Sequence, residues 1–339
     1  MEYAFMVGVI AVALAFDFFN GFHDAANAIA TIVVTKTLNP AQAVVLAGLA
    51  NFLGYFTFGV AVAKTVGKGV IDIKAFPGEL LLPVLAAALL GAILWNIITW
   101  LLGLPTSSSH ALIGGLVGAA LAAAGPKAVI TSGITTIVEF IVLAPLLGGI
   151  AAILLTNVVL ALSRKAKPKP AAKTFKILQL FSASVYAFSH GTNDAQKTMG
   201  IIALALVAGG VSPDFSLVGA NQWVVLSCYS AMALGTMMGG WRIVRTMGTR
   251  ITKIRAMEGF CAETASAAVM LVTAHYGIPV STTHVIAGSI MGVGTVERAA
   301  GVRWVTARKI VWAWFLTIPF AASVAALSFL AIKLIIGLF

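Results

Sequence analysis

Apolar residues run through this chain in long continuous stretches, without the strict alternation of half-buried strands. Roughly 20 such residues cross a bilayer as a helix, so 339 residues allow on the order of ten crossings once loops are subtracted. The pattern predicts an all-α polytopic membrane protein with about 10–12 membrane segments. It excludes a β-barrel, whose strands read as alternating segments of about ten residues. Two stretches, Phe5–Thr35 and Ile177–Val211, are longer than one simple span needs and carry a Gly and an Asp near the middle. They are expected to be broken helices. The segments after Pro105 and Pro279 are expected to form re-entrant hairpins.

Composition agrees: 60% of residues are hydrophobic and 10% charged, against about 25% charged in soluble domains. The first residues, MEYAFMV, lack the basic start of a signal peptide. Cys228 and Cys261 have neither disulfide nor metal spacing and read as packing residues. The formal net charge of +11 raises the question of nucleic acid, but the basic residues sit in short loops without interleaved aromatics. One cluster is Arg164, Lys165, Lys167, Lys169, Lys173 and Lys176. A second is Arg242, Arg245, Arg250, Lys253 and Arg255, and a third is Arg298, Arg303, Arg308 and Lys309. Short basic loops follow the positive-inside rule, which places them in the cytoplasm of a multi-pass protein of the cell (inner) membrane.

The basic, Pro-containing stretch Ser163–Lys176 is the one clear linker, and the sequence on its two sides repeats. Asn20-Gly21-Phe22-His23-Asp24-Ala25-Ala26-Asn27 has its counterpart in His190-Gly191-Thr192-Asn193-Asp194-Ala195-Gln196-Lys197, with Gly21/Gly191, Asp24/Asp194 and Ala25/Ala195 coinciding. Gly103-Leu104-Pro105-Thr106-Ser107-Ser108-Ser109-His110 matches Gly277-Ile278-Pro279-Val280-Ser281-Thr282-Thr283-His284, and Gly114 and Gly118 pair with Gly288 and Gly292. A weaker echo joins Lys64-Thr65-Val66-Gly67 to Arg245-Thr246-Met247-Gly248. The expected division is residues 1–163 as a first membrane repeat, 164–176 as a cytoplasmic linker and 177–339 as a second repeat. The loop Lys64–Glu79 carries Asp72 and Glu79 and is less basic than Arg242–Arg255. Placing the two loops on opposite sides predicts inverted repeats, an architecture suited to alternating access.

The repeated motifs also hold the chemistry. A carboxylate inside an apolar segment costs roughly 3 kcal/mol on insertion scales and marks a pathway by default. Asp24 and Asp194 stand at equivalent positions, with Asn20 and Asn27 near the first and Asn193 beside the second. Such oxygens suit a hard cation; buried caps are the plainer use of the same residues. In the Pro-Thr-Ser-Ser-Ser-His and Pro-Val-Ser-Thr-Thr-His motifs, Pro and Ser/Thr open a helix whose free N–H groups and dipole favour an anion. Ser107, Ser108, Ser109, Ser281, Thr282 and Thr283 could donate to an oxyanion or, with Thr106, turn lone pairs to a cation. Lys197 stands where the first copy has Asn27 and could pair with Asp194 or attract an anion. His110 and His284 are expected to cap or to hydrogen-bond groups around the site, and His23 and His190 to hydrogen-bond to backbone. Glu139, Glu258 and Glu263 rank below the aspartates, as ion ligands, proton carriers or partners of the Arg242–Arg255 loop. No phosphate-binding loop of the ATPase type and no nucleophile–base set is present, which argues against a pump or an enzyme.

The string Asn20–Thr31 resembles the first signature of the inorganic phosphate transporter (PiT) family, and His190–Gly200 is similar to the second in its prokaryotic form. The Ser/Thr motifs match as well, so the resemblance covers nearly the whole chain. It implies a symporter of inorganic phosphate with a cation, sodium ahead of protons, from inverted repeats and often as a homodimer. Carried onto this chain, phosphate would meet Ser107, Ser108, Ser109, Ser281, Thr282, Thr283, Asn27 and Lys197. Sodium would meet Asp24, Asn27, Asp194, Asn193, Thr106, Ser107 and Thr282. His23 and Lys197 depart from the commoner residues and change the ligand set on each side. A carrier of another oxyanion such as sulfate, or an anion channel, are the alternatives.

Overall fold

The computed structural model describes residues 2–56, 59–76, 79–217, 219–297 and 299–337. Arg298 of the third basic cluster lies outside them. The described residues form twelve α-helices: α1 (Glu2–Val34), α2 (Pro40–Leu53), α3 (Ala61–Gly69), α4 (Leu81–Leu102), α5 (Ser108–Ala124), α6 (Thr131–Ser163), α7 (Pro168–Ala208), α8 (Gln222–Met238), α9 (Trp241–Arg245), α10 (Ala256–His275), α11 (Thr282–Glu297) and α12 (Trp304–Ile335). Within lipid no water can satisfy the backbone, so a chain this apolar folds into helices that bond to themselves. Helices α1, α4, α6 and α12 are each long and apolar enough to cross a membrane. The pairs α2–α3 and α8–α9 are bent by 84° and 60°. At 17 and 16 residues, α5 and α11 are shorter than a full span of about 20.

The breaks fall elsewhere than expected. Phe5–Thr35 and Ile177–Val211 are not broken: α1 and α7 continue through their Asp motifs as helices of 33 and 41 residues. Neither has a proline in its middle, and the motif glycines serve close packing. A Cβ on Gly21 would strike the Met232 carbonyl of α8, and one on Gly191 the Asn51 backbone of α2. Each Gly therefore lets the partner backbone approach, as small residues do in membrane helix pairs. The bends sit instead between α2 and α3 and at Gly239–Gly240. The first is held by Gln196 Oε1, which accepts from the Val62 and Ala63 N–H groups at 3.0 and 3.4 Å. The basic stretch 164–176 leaves helical geometry only over 164–167; Pro168 opens α7, where a missing N–H costs nothing.

Packing between the halves is reciprocal. Helix α1 packs on α8 and α7 on α2; α6 packs on α11 and α12 on α5; α4 packs on α12 and α10 on α6. Small residues line these seams: Gly114 and Gly118 meet the Ile318 and Ala322 backbone, while Gly288 and Gly292 meet that of Pro145 and Gly149. Helices α1 and α7 run antiparallel. Met6 reaches Gly209 at one end, and Thr35 reaches Gln179 at 2.8 Å at the other. The Lys176 ammonium also donates to the Lys36 carbonyl there, at 3.1 Å.

Candidate functional site

The Pro turns place α5 and α11. Gly103 and Gly277 adopt φ of 65° and 68°, a left-handed conformation that suits glycine at a helix end. Thr246 of the α9 segment donates to the Gly103 carbonyl, and Thr65 of α3 donates to Gly277, each at 2.8 Å. The weak echo in the sequence thus becomes the same hydrogen bond made twice. Beyond each turn, Ser107 Oγ accepts from the His110 N–H at 3.1 Å and Ser281 Oγ from the His284 N–H at 3.2 Å. These two hydroxyls are helix caps. Of the residues after them, Ser108, Thr282 and Thr283 turn to the aspartates and Ser109 to Lys197.

Asp24 Oδ2 lies 2.8 Å from Ser108 Oγ, and Asp194 Oδ2 lies 3.2 Å from Thr282 Oγ1. Each aspartate therefore meets the Ser/Thr turn of its own half. One helical turn on, the contacts cross over. Asn27 Nδ2 donates to Thr283 of the other half at 2.8 Å, and Lys197 Nζ donates to Ser109 of the other half at 2.5 Å. Lys197 also forms a close ion pair with Asp194 and donates to the Val280 carbonyl at 3.0 Å. Thr283 Oγ1 is 3.5 Å from Asp24 Oδ1. All these side chains are at most 3% exposed, so the cluster is closed to both faces of the protein.

The histidines divide into two pairs. His23 Nδ1 is 2.8 Å from Asp24 Oδ1, and His190 Nε2 stands between the two carboxylates, 3.4 Å from Asp194 and 3.9 Å from Asp24. These rings face the acids rather than the backbone, correcting the plainer expectation for them. His110 and His284 instead pack ring against ring, 4.7 Å between centroids, and His284 stacks on Trp314 at 4.0 Å. Donor atoms of Asp24, His190 and Asp194 all lie within 4.8 Å of one another. Two carboxylates with the neighbouring hydroxyls form an oxygen-rich set that suits a hard cation. The starts of α5 and α11, with the Lys197 ammonium between them, supply donors for an anion.

Besides the caps Ser107 and Ser281, two predicted site residues stay outside this network. Thr106 Oγ1 and both polar atoms of Asn193 are buried without hydrogen-bond partners. Of the glutamates, Glu139 is exposed on α6. Glu258 pairs with Arg255, its Oε1 2.9 Å from Arg255 Nε. Glu263 is fully buried, taking Thr31 at 2.5 Å, Gln179 at 3.1 Å and a very close Ser182. Sequence reading missed Gln179 and Ser182, and it missed Asp17, a fully buried acid seven residues before Asp24. Its signal was available: an acid two helical turns from Asp24, on the same face, inside an apolar run.

Known proteins resemble this chain along nearly its whole length. A phosphate transporter family model matches the chain twice, over residues 20–173 and 161–325. A probable low-affinity inorganic phosphate transporter of Rhizobium meliloti is 50% identical over 99% of this chain and 98% of that protein. One of the same description from Bacillus subtilis is 42% identical over 96% of this chain and 97% of its own length. A solved structure described as the sodium-dependent phosphate transporter superposes with a TM-score of 0.89 at 25% identity, covering 98% of this chain and all of the other. Both halves are matched by one family model, and both carry the Asp and Ser/Thr motifs that meet at the centre, so this chain belongs to the phosphate transporter family.

Proposed function

We propose that this protein is a sodium-coupled symporter of inorganic phosphate, working by alternating access at the interface of two inverted repeats. The observation that carries the reading is the charge of the central cluster. Two carboxylates, Asp24 and Asp194, face one ammonium, Lys197, in a site closed to water. With the His23 and His190 imidazoles neutral, that leaves one net negative charge where a phosphate anion must enter. In a low-dielectric interior such repulsion is strong, so the anion is admitted only with cations bound beside the carboxylates. Obligatory pairing of the two charges is what symport requires. The relatives' descriptions, phosphate for the bacterial proteins and sodium-dependent phosphate for the solved structure, point the same way.

In this reading Asp24, Asp194, Ser108 and Thr282 hold the cation. Phosphate sits between the starts of α5 and α11, taking donors from Ser109, Thr283, Asn27 and Lys197. The crossed contacts Asn27–Thr283 and Lys197–Ser109 tie each half's turn to the other half's Asp helix. A movement of one half against the other would remake both contacts together and switch which side the site faces. Glu263, with Thr31, Gln179 and Ser182, provides a second oxygen-rich stop for a cation, toward the linker. The linker side is taken as cytoplasmic on its basic charge.

Radiolabelled phosphate uptake into proteoliposomes, with an inward sodium gradient or with potassium in its place, tests the proposal. Uptake that rises with the sodium gradient and resists excess sulfate is expected. Sodium-independent uptake at every pH would overturn the coupling, and equal competition by sulfate would overturn the phosphate assignment.

A further inference from the structure

Asp17 is a second buried acid that the central cluster does not use. It lies on α1 seven residues, or about 10 Å along the axis, before Asp24 on the same helical face, toward the end away from the linker. It has no exposed surface, and neither carboxylate oxygen has a hydrogen-bond partner. The polar side chains facing it are Thr198 of α7, Asn20 of its own helix and Cys228 of α8. Thr198 Oγ1 is itself fully buried and unpartnered. Two orphaned polar groups therefore face each other inside an apolar cluster that includes Phe16, Met199 and Cys228.

An ionised carboxylate in such a place, faced only by neutral groups that make no close hydrogen bond to it and by no cation, is costly enough that it must acquire a positive charge or a proton. The surroundings decide between them. A hard cation favours about six oxygen ligands. Here it would find the two carboxylate oxygens, the Thr198 hydroxyl and the Asn20 carbonyl, which Ser108 already engages at 2.5 Å. Helices α1 and α7 are unbroken at this level and free no backbone carbonyl, and the Cys228 sulfur is a poor partner for a hard ion. A proton needs only one oxygen.

None of the side chains that face Asp17 is basic. Helices α2 and α4 bring no titratable side chain to α1. From α8 comes the Cys228 thiol, and from α7 the Asp194 carboxylate, which Lys197 already pairs. Helices α5, α9, α10 and α11 meet α1 at Asn20 or beyond, through Ser108, Gly240, Glu263 and Thr283.

We infer that Asp17 is a proton-binding site of the transport cycle, separate from the oxygen-rich cation site at Asp24 and Asp194, so that a proton travels with phosphate in addition to the metal cation. The proton comes from water on the side away from the linker and converts the carboxylate to the neutral acid. It leaves to water on the linker side after the site has switched, so no other atom changes bonding. This rests on the phosphate symport reading.

The test is the steady-state accumulation of radiolabelled phosphate in proteoliposomes, at fixed sodium on both sides, with the outside made acidic relative to the inside. One coupled proton changes the accumulation ratio about tenfold per pH unit of gradient. Wild type is expected to show that dependence. Asp17→Asn is expected to lose it while still exchanging internal for external phosphate, and Asp17→Glu to restore it. Asp17→Asn also corrects for the change in phosphate's own ionisation with pH. An unaltered pH-gradient response in Asp17→Asn would overturn the inference. So would loss of exchange in both Asp17→Asn and Asp17→Glu, which would make the side chain structural. Wild type that exchanges phosphate without responding to the gradient would overturn only this inference; wild type that does not exchange phosphate would overturn the symport reading beneath it.

Discussion

The Asp24 and Asp194 halves of the central cluster have the same scaffold and different charge. In both, the aspartate meets a hydroxyl of its own Ser/Thr turn, a second residue one helical turn later reaches across to the other turn, and a Ser side chain caps the helix. Of the positions that differ, the one that changes fixed charge is Asn27 in the first half and Lys197 in the second. Lys197 neutralises Asp194 from within the protein, whereas Asp24 has His23, Ser108, Thr283 and the shared His190 around it and no ammonium. Duplication thus fixed the geometry, and one substitution divided the labour. In the symport reading, the first half recruits its counter-charge from solution, and the second carries its own.

The largest effect should come from breaking the built-in pair. Asp194→Asn strands Lys197 as a buried charge, and loss of one partner of a buried pair costs about 3–5 kcal/mol. Thermal melts in detergent should show Asp194→Asn well below Asp24→Asn. Equal melting temperatures would mean that the two halves are not electrostatically different. Asp24→Asn should leave a folded protein and lower sodium-driven phosphate uptake at least about 100-fold, because the carboxylate that needs an external cation is gone. Full uptake in this variant would remove Asp24 from the cation site.

Lys197→Asn makes the second half resemble the first. Both carboxylates then need external cations, so the sodium dependence of uptake should steepen and phosphate affinity should fall about tenfold, or about 1.4 kcal/mol. An unchanged sodium Hill coefficient would show that Lys197 does not stand in for a cation. The smallest effects belong to the matched scaffold bonds. Thr65→Val and Thr246→Val each remove one hydrogen bond to a Pro turn and should each cost about 1 kcal/mol of stability. Similar losses in the two variants, measured by melting, would support equivalent roles for the two turns.

Several features of the site were legible without coordinates. Asp24, Asp194 and the two Ser/Thr turns stood out because charged and hydroxyl residues are conspicuous in apolar sequence and occurred twice in register. The role of Lys197 was narrowed to two options, and the structure shows its ion pair with Asp194. The broken-helix expectation for α1 and α7 failed because Gly and Asp in mid-span read alike whether they interrupt a helix or pack it. Only the neighbouring backbone of Met232 or Asn51 tells the two apart. Asp17 lacked a counterpart in the second half, so the repeat that revealed the other acids gave it no support.

By itself, the sequence determined that this is a duplicated helical membrane protein with two acids and two Ser/Thr helix starts, because hydropathy and repetition are properties of the chain. Which hydroxyls cap and which face the acids, where the helices bend, and how Glu263 and Asp17 are surrounded were decided by tertiary structure. The contacts that settle the site join side chains more than 80 residues apart, such as Thr31 and Glu263 or Lys197 and Ser109. No local pattern records those contacts; they exist only once antiparallel helices from the two halves pack around one centre.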